Sequence, residues 1–287
     1  MSAVNVVGVV GAGQMGAGIA EVCARAGLSV KLFDVDADVV DRGLGRIDQS
    51  LGRAERSGRL TTVERAEALD RIATATDLDA LADAGLVVEA VVEDAAVKLG
   101  VFRRLDAVVA DPDAILASNT SSIPIMRMAM ATSRPAHVIG MHFFNPVPVL
   151  KLVEIVPSLL TSERTEQRAR DFAADVLGKT TIRSKDRAGF VVNSLLVPYI
   201  LAAVRMLDSG FASAEDIDNG MVLGCAHPMG PLRLADLIGL DTVKAIAEAI
   251  YEEFKEPLYA PAPLLLRMVE AGLLGKKIGQ GFYDYSD

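Results

Sequence analysis

A histidine, a glutamate and a serine border apolar runs in this chain, and their side chains suit proton transfer. His142 lies in the segment HVIGMHFFNP (137–146), Glu154 follows it, and Ser121 lies in the segment SNTSS (118–122). Oxidation of a secondary alcohol needs an acceptor for the hydroxyl proton, and histidine is the usual choice. A carboxylate beside the imidazole holds its tautomer and stabilises the imidazolium. We therefore predict that His142 is a general base oriented by Glu154.

Two further polar residues suit the orientation of a substrate oxygen, namely Ser121 and Asn193. Each candidate also has a purely structural interpretation. Ser121 could cap the short helix that follows it, Glu154 could face solvent, and Asn193 could be a buried amide in an apolar helix. The remaining histidines, His137 and His227, are interpreted as core residues.

The segment GAGQMG (11–16) fits the pattern G-x-G-x-x-G after an apolar run, and Asp34 follows 18 residues after Gly16. In this context the glycines allow a tight turn, close approach of a pyrophosphate and close packing of helix on strand. Asp34 would accept both ribose hydroxyls and repel a 2′-phosphate, so the cofactor is predicted to be NAD rather than NADP. The predicted contacts here are Gly11, Gly13, Gln14, Met15, Gly16 and Asp34.

The elements that position these residues alternate between strand and helix in the first part of the chain. Strands are predicted at 5–10, 29–33, 86–92, 114–117, 137–143 and 150–156, and helices at 14–26, 95–109 and 163–177. An amphipathic stripe and a capping box at Thr61–Glu64 predict a helical hairpin over about 37–72. The fold class is therefore α/β, a doubly wound Rossmann-like domain over 1–184 with an inserted helical hairpin.

Strand patterns vanish after about Lys185, so residues 185–287 are predicted to form an all-α domain. Its helices are expected at 189–208, 214–222, 231–254 and 262–271. Asn193 would come from the first of these helices. Because ligands bind beyond the carboxyl ends of strands in open α/β sheets, we expect the site in the cleft between the two domains.

Composition excludes several classes of function. The 287 residues carry a net charge of -9, which argues against a nucleic-acid partner. The two cysteines and three histidines form no disulfide framework or metal-ligand cluster, so no metal is predicted. The longest uncharged stretch, 188–204, is short for a membrane span. Without a visible targeting segment the expected location is cytoplasmic.

The chain resembles the L-3-hydroxyacyl-CoA dehydrogenase family over essentially its full length, and within it the short stand-alone 3-hydroxybutyryl-CoA dehydrogenase type. Several motifs carry the resemblance in order: GAGQMG (11–16), VEAVVED (88–94), SNTSS (118–122), HFFNP (142–146), GFVVN (189–193), Gly230-Pro231 with Leu234-Ala235-Asp236, and GQGFY (279–283).

The resemblance implies roles for residues that agree with the chemistry above. It implies that His142 is the general base, that Glu154 orients it, and that Ser121 and Asn193 bind the substrate oxygen. The residues that it places at the cofactor are Glu93, Lys98, Asn119, Ser121, Asn145 and Lys277. Lys277 could instead be a solvated charge of the tail, as could its neighbour Lys276.

In this family the helical hairpin grips the nucleotide of coenzyme A, which implies a substrate site at Ser50, Arg53 and Arg56. The chain departs from relatives that carry lysine runs here, since it has arginines and Ser57-Gly58. A solvated helix face is the alternative interpretation of each arginine. The family also implies a homodimer through the C-terminal helical domain.

The predicted function is reversible NAD-dependent oxidation of an L-3-hydroxyacyl-CoA to the 3-ketoacyl-CoA, with 3-hydroxybutyryl-CoA and acetoacetyl-CoA as the short-chain pair. Two alternatives stay open at this point. The same fold could act on 3-hydroxyadipyl-CoA or a free sugar acid, or the protein could be a non-catalytic, crystallin-like NAD-binding protein.

Overall fold

The computed structural model describes residues 4–286, which divide into two compact units. The first unit ends at Asp186 and the second begins at Arg187, whereas the sequence pattern predicts the boundary between residues 184 and 185. No helix within the described range is both long enough and apolar enough to cross a membrane.

Among the residues described for the first unit, eight strands form one sheet. They are β1 (Val6–Val10), β2 (Ser29–Phe33), β3 (Ile72–Ala75), β4 (Leu86–Glu89), β5 (Ile115–Ser118), β6 (Val138–Phe143), β7 (Leu152–Pro157) and β8 (Thr180–Arg183). Their order in the sheet is β3-β2-β1-β4-β5-β6-β7-β8. The first six in this order are parallel, β7 is antiparallel to β6, and β8 is parallel to β7. The chain order reverses beside β1, which confirms the doubly wound topology and places a crevice at the carboxyl ends of β1 and β4.

Six α-helices lie within the described residues of the first unit. They are α1 (Gln14–Arg25), α2 (Ala37–Arg56), α3 (Thr62–Asp70), α4 (Ala95–Val108), α5 (Ile125–Ala129) and α6 (Glu163–Asp171), with a π-helical turn at Phe172–Val176 after α6. The core between helices and sheet contains buried side chains from β1, α1 and β6, such as Val9, Ile19 and Met141.

The hairpin predicted after β2 is formed by α2 and α3. Thr61 and Glu64 make the predicted capping box, because the Thr61 hydroxyl accepts the Glu64 N–H and the Glu64 carboxylate accepts the Thr61 N–H. Ile47 and Leu51 on α2 are fully buried in the core that includes α1. The hairpin ends at Asp70 rather than 72, because Ile72 is the first residue of β3.

The sequence patterns missed β3 and β8, which are the two edge strands of the sheet. In β8 the end residues Thr180 and Arg183 are exposed and the middle two are only half-buried. Short edge strands with water on one side carry no continuous apolar run, so their residues resemble loop. The polar segment just before the predicted domain boundary at 184–185 therefore contains a strand, β8.

The second unit consists of helices within its described residues. They are α7 (Val192–Asp208), α8 (Ala214–Cys225), α9 (Pro231–Ile238), α10 (Leu240–Phe254) and α11 (Pro263–Glu270). The single helix predicted over 231–254 is wrong, because Gly239 adopts φ +101° and separates α9 from α10. That backbone conformation is accessible to glycine and interrupts the helical hydrogen bonds, while the apolar periodicity continues on both sides.

The turn from β1 into α1 depends on close backbone approach at Gly16. A Cβ atom built on Gly16 would lie 1.7 Å from the carbonyl oxygen of Gly11. Gly11 itself adopts φ +103°. At Gly13, in contrast, φ is −67° and an added Cβ would meet no heavy atom within 4 Å. The glycines of one motif therefore meet different physical requirements.

We predict that Gly16→Ala lowers the free energy of unfolding by about 3 kcal/mol or more, because the methyl group can only be placed by separating α1 from β1. Gly13→Ala is the matched control and should change it by no more than about 1 kcal/mol. Urea unfolding of both purified variants measures the difference. Equal midpoints for the two variants would contradict this interpretation of the turn.

Candidate active site

His142 and Glu154 form a buried hydrogen-bonded pair. They face each other in the antiparallel register of β6 and β7, and the Nδ1 atom of His142 lies 2.7 Å from Oε2 of Glu154. His142 is 6% exposed and Glu154 is 0% exposed. The alternative in which Glu154 faces solvent is therefore wrong. The carboxylate fixes the orientation of the imidazole, because it can accept a hydrogen bond from Nδ1.

Asn119 links the ends of β5 and β6. Its Oδ1 atom accepts the backbone N–H of Phe143 at 2.8 Å, and its own N–H donates to the Glu89 carbonyl oxygen at 2.8 Å. The ring of Phe144 packs beside His142, with its centroid 4.6 Å from the imidazole centroid. These contacts hold the segment after β5 against the strand that carries His142.

Glu93 organises the loop that contains Ser121. One carboxylate oxygen, Oε1, accepts the backbone N–H groups of Ser121 and Ser122 at 3.0 and 3.1 Å and the Thr120 hydroxyl at 2.5 Å. The Ser121 Oγ atom also lies 3.5 Å from Oε1. Burial by itself raises the pKa of Glu93, but Lys98 and the hydrogen bonds from this loop outweigh it and hold that pKa below its usual value.

Ser121 does not cap the helix that follows it, so that alternative is wrong. The first N–H groups of α5, those of Ile125 and Met126, donate to the Asp186 carboxylate at 2.7 and 2.8 Å. The Thr120 hydroxyl accepts the N–H of Ile123 at 2.9 Å. The N–H groups at the start of α5 and in the loop before it are therefore satisfied by Asp186 and Thr120, and not by the Ser121 hydroxyl.

Lys98 is almost completely buried among carboxylates, at 1% exposure. Its Nζ atom lies 2.6 Å from Glu89 Oε1 and 3.2 Å from Glu93 Oε2. The Ser118 hydroxyl donates to the other oxygen of Glu89 at 2.6 Å. The buried groups of Lys98, Glu89 and Ser118 thus satisfy one another where water is excluded, which lowers the cost of burying the two charges.

Glu89, Ser118 and Thr120 also form the site, although no role was predicted for them from the sequence. All three are at most 1% exposed. Glu89 and Ser118 are the last residues of the apolar strands β4 and β5, so a polar residue at a strand end was the available signal. The pattern could not say that these polar ends would meet in one network.

The Gly-rich turn, α1 and Asp34 form a cradle that fits a dinucleotide. Asp34 follows β2, and its Oδ2 atom accepts the Ala12 N–H at 2.9 Å. Gly13 is the N-cap residue of α1. It has no side chain to occupy the first N–H groups of the helix, and it leaves space where a Cβ would lie. The first N–H groups of α1 can therefore face a phosphate. Gln14 extends the cradle, since its Nε2 atom donates to Asn145 Oδ1 at 3.0 Å, whereas Met15 is half-buried against the core.

A groove of about 350 Å³ runs between α1, α2 and the segment after β6. Ser50 and Arg53 line it together with Gln14 and Asn145, whereas Arg56 does not. Two of the three residues predicted for the coenzyme A site therefore share a groove with residues predicted for the cofactor end.

The second unit carries the other two predicted site residues. Asn193 lies in the first turn of α7 and is 8% exposed. The Lys277 Nζ atom lies 2.6 Å from both carboxylate oxygens of Asp241, so Lys277 is ion-paired at the surface. Within residues 4–286 no group of three histidine, cysteine or acidic side chains could hold a metal ion.

Comparisons with known proteins agree with this geometry. Residues 6–187 match the model of the 3-hydroxyacyl-CoA dehydrogenase NAD-binding domain, and residues 189–285 match that of its C-terminal domain. A 3-hydroxybutyryl-CoA dehydrogenase of Mycobacterium tuberculosis is 60% identical over 283 residues, which is 99% of each chain.

Solved structures give the same result. The crystal structure of M. tuberculosis FadB2 superposes with a TM-score of 0.98 at 59% identity, covering 99% of this chain and 100% of that chain. The structure of (S)-3-hydroxybutyryl-CoA dehydrogenase from Ralstonia eutropha gives a TM-score of 0.93 at 46% identity, with coverage of 99% and 100%. The chain therefore belongs to the 3-hydroxyacyl-CoA dehydrogenase family.

Proposed function

We propose that this protein catalyses the reversible NAD-dependent oxidation of a short-chain L-3-hydroxyacyl-CoA, with 3-hydroxybutyryl-CoA and acetoacetyl-CoA as the substrate pair. The observation that carries the proposal is the buried hydrogen bond between His142 and Glu154, at 2.7 Å, in a chain of this family. Relatives of 60% and 46% identity that are named for 3-hydroxybutyryl-CoA support the short acyl chain and its configuration.

His142 is the proton acceptor in this mechanism. Because Nδ1 is bound to Glu154, the ring takes the C3 hydroxyl proton at Nε2. The Glu154 carboxylate stabilises the imidazolium that forms, and it does so strongly because both side chains are buried. NAD, when bound, supplies the acceptor for the hydride that leaves C3. In the reverse direction His142 returns the proton to the substrate oxygen.

The substrate oxygen is oriented by Ser121 and Asn193 in this proposal. Ser121 suits the role because Glu93 holds its backbone N–H while its hydroxyl lies only at the long limit of a hydrogen bond, 3.5 Å from the same carboxylate. Asn193 can donate and accept through its amide. Such positioning lowers the barrier because it holds the reacting atoms in a productive arrangement before proton transfer.

The cofactor is held by the Gly-rich turn, by Asp34 and by several further polar residues. The turn that contains Gly11, Gly13 and Gly16 allows close approach of the pyrophosphate, and the start of α1 faces it. Asp34 accepts the ribose hydroxyls. Among the remaining proposed contacts, Glu93, Lys98 and Asn119 form hydrogen bonds or ion pairs in the loop network, and Asn145 bonds to Gln14. Lys277 is proposed as a further contact.

The coenzyme A end of the substrate is proposed to bind Ser50, Arg53 and Arg56. Arg53 and Ser50 line the groove between α1 and α2, and Arg53 offers a cation for a phosphate. We further propose a homodimer through the helical unit and a cytoplasmic location. The sequence identity to 3-hydroxybutyryl-CoA dehydrogenases does not favour the alternatives, which are a sugar acid or 3-hydroxyadipyl-CoA as the substrate and a non-catalytic role.

The proposal predicts rapid loss of NADH absorbance when acetoacetyl-CoA is added, and a kcat/KM with NADH at least about tenfold above that with NADPH. The reason for the preference is repulsion between the Asp34 carboxylate and a 2′-phosphate. Preference for NADPH would overturn the role of Asp34. No turnover with either cofactor, in protein that binds NADH, would overturn the substrate.

The His142–Glu154 pair can be tested by substituting each residue. His142→Gln should lower kcat by about 10²- to 10⁴-fold and leave the affinity for NADH within about threefold, because only proton transfer is removed. Glu154→Gln should lower kcat by at least about tenfold, and the double variant should be no slower than His142→Gln, since the two residues act as a unit. Glu163→Gln, at an exposed position on α6, is the control. Additive losses in the double variant would show that Glu154 does not act through His142.

A further inference from the structure

Glu21 is a buried carboxylate in the middle of α1 that the proposed mechanism does not use. It is 2% exposed, and its Oε1 atom has no hydrogen-bond partner. Burying a carboxylate oxygen without a partner is costly. An unsatisfied oxygen of this kind is expected where a ligand supplies the missing donor.

The surroundings of Glu21 are polar and positively charged. The Arg25 NH1 atom lies 3.6 Å from Oε1, beyond hydrogen-bond distance. Burial raises the pKa of Glu21, and the Ser50 hydroxyl and the charges of Arg25 and Arg53 offset only part of that effect. The fold therefore keeps an energetically costly carboxylate close to Arg25 on α1 and Arg53 on α2.

Glu21 lies where two neighbouring grooves meet. The larger groove, about 350 Å³, extends to Gln14 and Asn145, which mark the end nearest the β6 strand. The smaller groove, about 140 Å³, extends to Arg25 and Arg59. Ser50 and Arg53 line both grooves with Glu21. Because Gln14 and Glu21 are two helical turns apart on α1, roughly 10 Å separates the Gln14 end from Glu21.

This order of groups matches the order of groups in an acyl-CoA. The molecule has a reacting acyl end, then a pantetheine arm with two amide N–H donors, then phosphates. The groove offers Asn145 at one end, a carboxylate acceptor in the middle, and Arg25 and Arg59 at the other end, while Arg46 on α2 also lines the larger groove. Arginine binds phosphate well, whereas a carboxylate repels it and accepts an amide N–H.

We propose that Glu21 is a specificity-determining residue that accepts a hydrogen bond from an amide N–H of the pantetheine arm of the substrate. This inference rests on the proposed function. Glu21 thereby favours substrates attached to pantetheine. Its negative charge also repels the phosphates of the ligand, which leaves them to the arginines.

The test compares Glu21→Leu, which removes the acceptor, with Glu21→Gln, which keeps an acceptor oxygen at the same place. Glu163→Leu on the exposed face of α6 is the control. For each protein, kcat and KM for acetoacetyl-CoA are measured at saturating NADH, and the Kd of coenzyme A is measured by titration calorimetry. The KM and the Kd of Glu21→Leu should rise about tenfold with kcat within about twofold, and Glu21→Gln should restore both to within about threefold.

Two outcomes overturn the inference while leaving the proposed function intact. One is an unchanged KM and Kd in Glu21→Leu, in a wild-type protein that reduces acetoacetyl-CoA. The other is a fall in kcat of both Glu21 variants alike, which would indicate a structural role. Absence of wild-type activity with acetoacetyl-CoA would instead overturn the proposed function.

The cost of burying Glu21 also predicts a pH dependence of stability without ligand. A carboxyl whose pKa is raised in the folded state above its ordinary value of 4.5 destabilises the fold as pH rises through the window above 4.5. Glu21→Gln should therefore unfold at a higher temperature than wild type at pH 8, with a smaller difference at pH 5. Thermal unfolding at both pH values measures this, and a difference that is larger at pH 5 would contradict an unsatisfied carboxylate.

Discussion

The antiparallel pairing of β6 with β7 is the constraint on which the candidate site depends. All neighbouring strands from β3 to β6 in the sheet order are parallel. Parallel neighbours require a long crossover between them. The direct return from β6 to β7 instead sets Glu154 opposite His142 within one pair of strands. Because both side chains are buried there, their hydrogen bond is strong and the imidazole has one orientation. The parallel strands then bring the ends of β4 and β5 to the same edge as the end of β6.

A second layer of buried charge holds the loop beside that pair. Glu89 binds Lys98 and Ser118, and Lys98 in turn neutralises Glu93. An ion pair in this environment contributes little net stability, because desolvation offsets the attraction. Its effect is positional: Glu93 can present one oxygen to several N–H and hydroxyl groups of the loop after β5 only if its own charge is compensated. The buried ion pair therefore contributes more to the geometry of the site than to the stability of the fold.

The helical hairpin adds a third element, which an open α/β sheet alone does not have. Packing of α2 against α1 creates the groove that Ser50 and Arg53 line, in a protein whose net charge is -9. Anion binding therefore relies on local placement of arginines rather than on the overall field of the molecule. The same packing buries Glu21 and leaves one of its oxygens without a partner, so the feature that forms the groove also determines which groups of a ligand it can accept.

Features with local physical causes could be predicted from the sequence. The turn at Gly11–Gly16, the acid at Asp34 and the capping box at Thr61 and Glu64 follow from sterics and hydrogen bonds within a few residues, and the structure has all three. Apolar periodicity likewise predicted the buried strands and the helical second unit, although it could not detect the interruption at Gly239 or the half-exposed edge strands β3 and β8.

The sequence by itself thus determined the order of the elements, the doubly wound class and the residue types available for proton transfer. Only the tertiary structure decided which polar residues meet. Glu154 alternates with apolar neighbours in a way that suits solvent or a buried partner equally, and strand register made the choice. Glu21 and Glu89 gave no local sign of burial, because a charged side chain on a helix or at a strand end is ordinarily solvated. Burial and partnership are properties of packing between segments distant in the chain, and no local pattern encodes them.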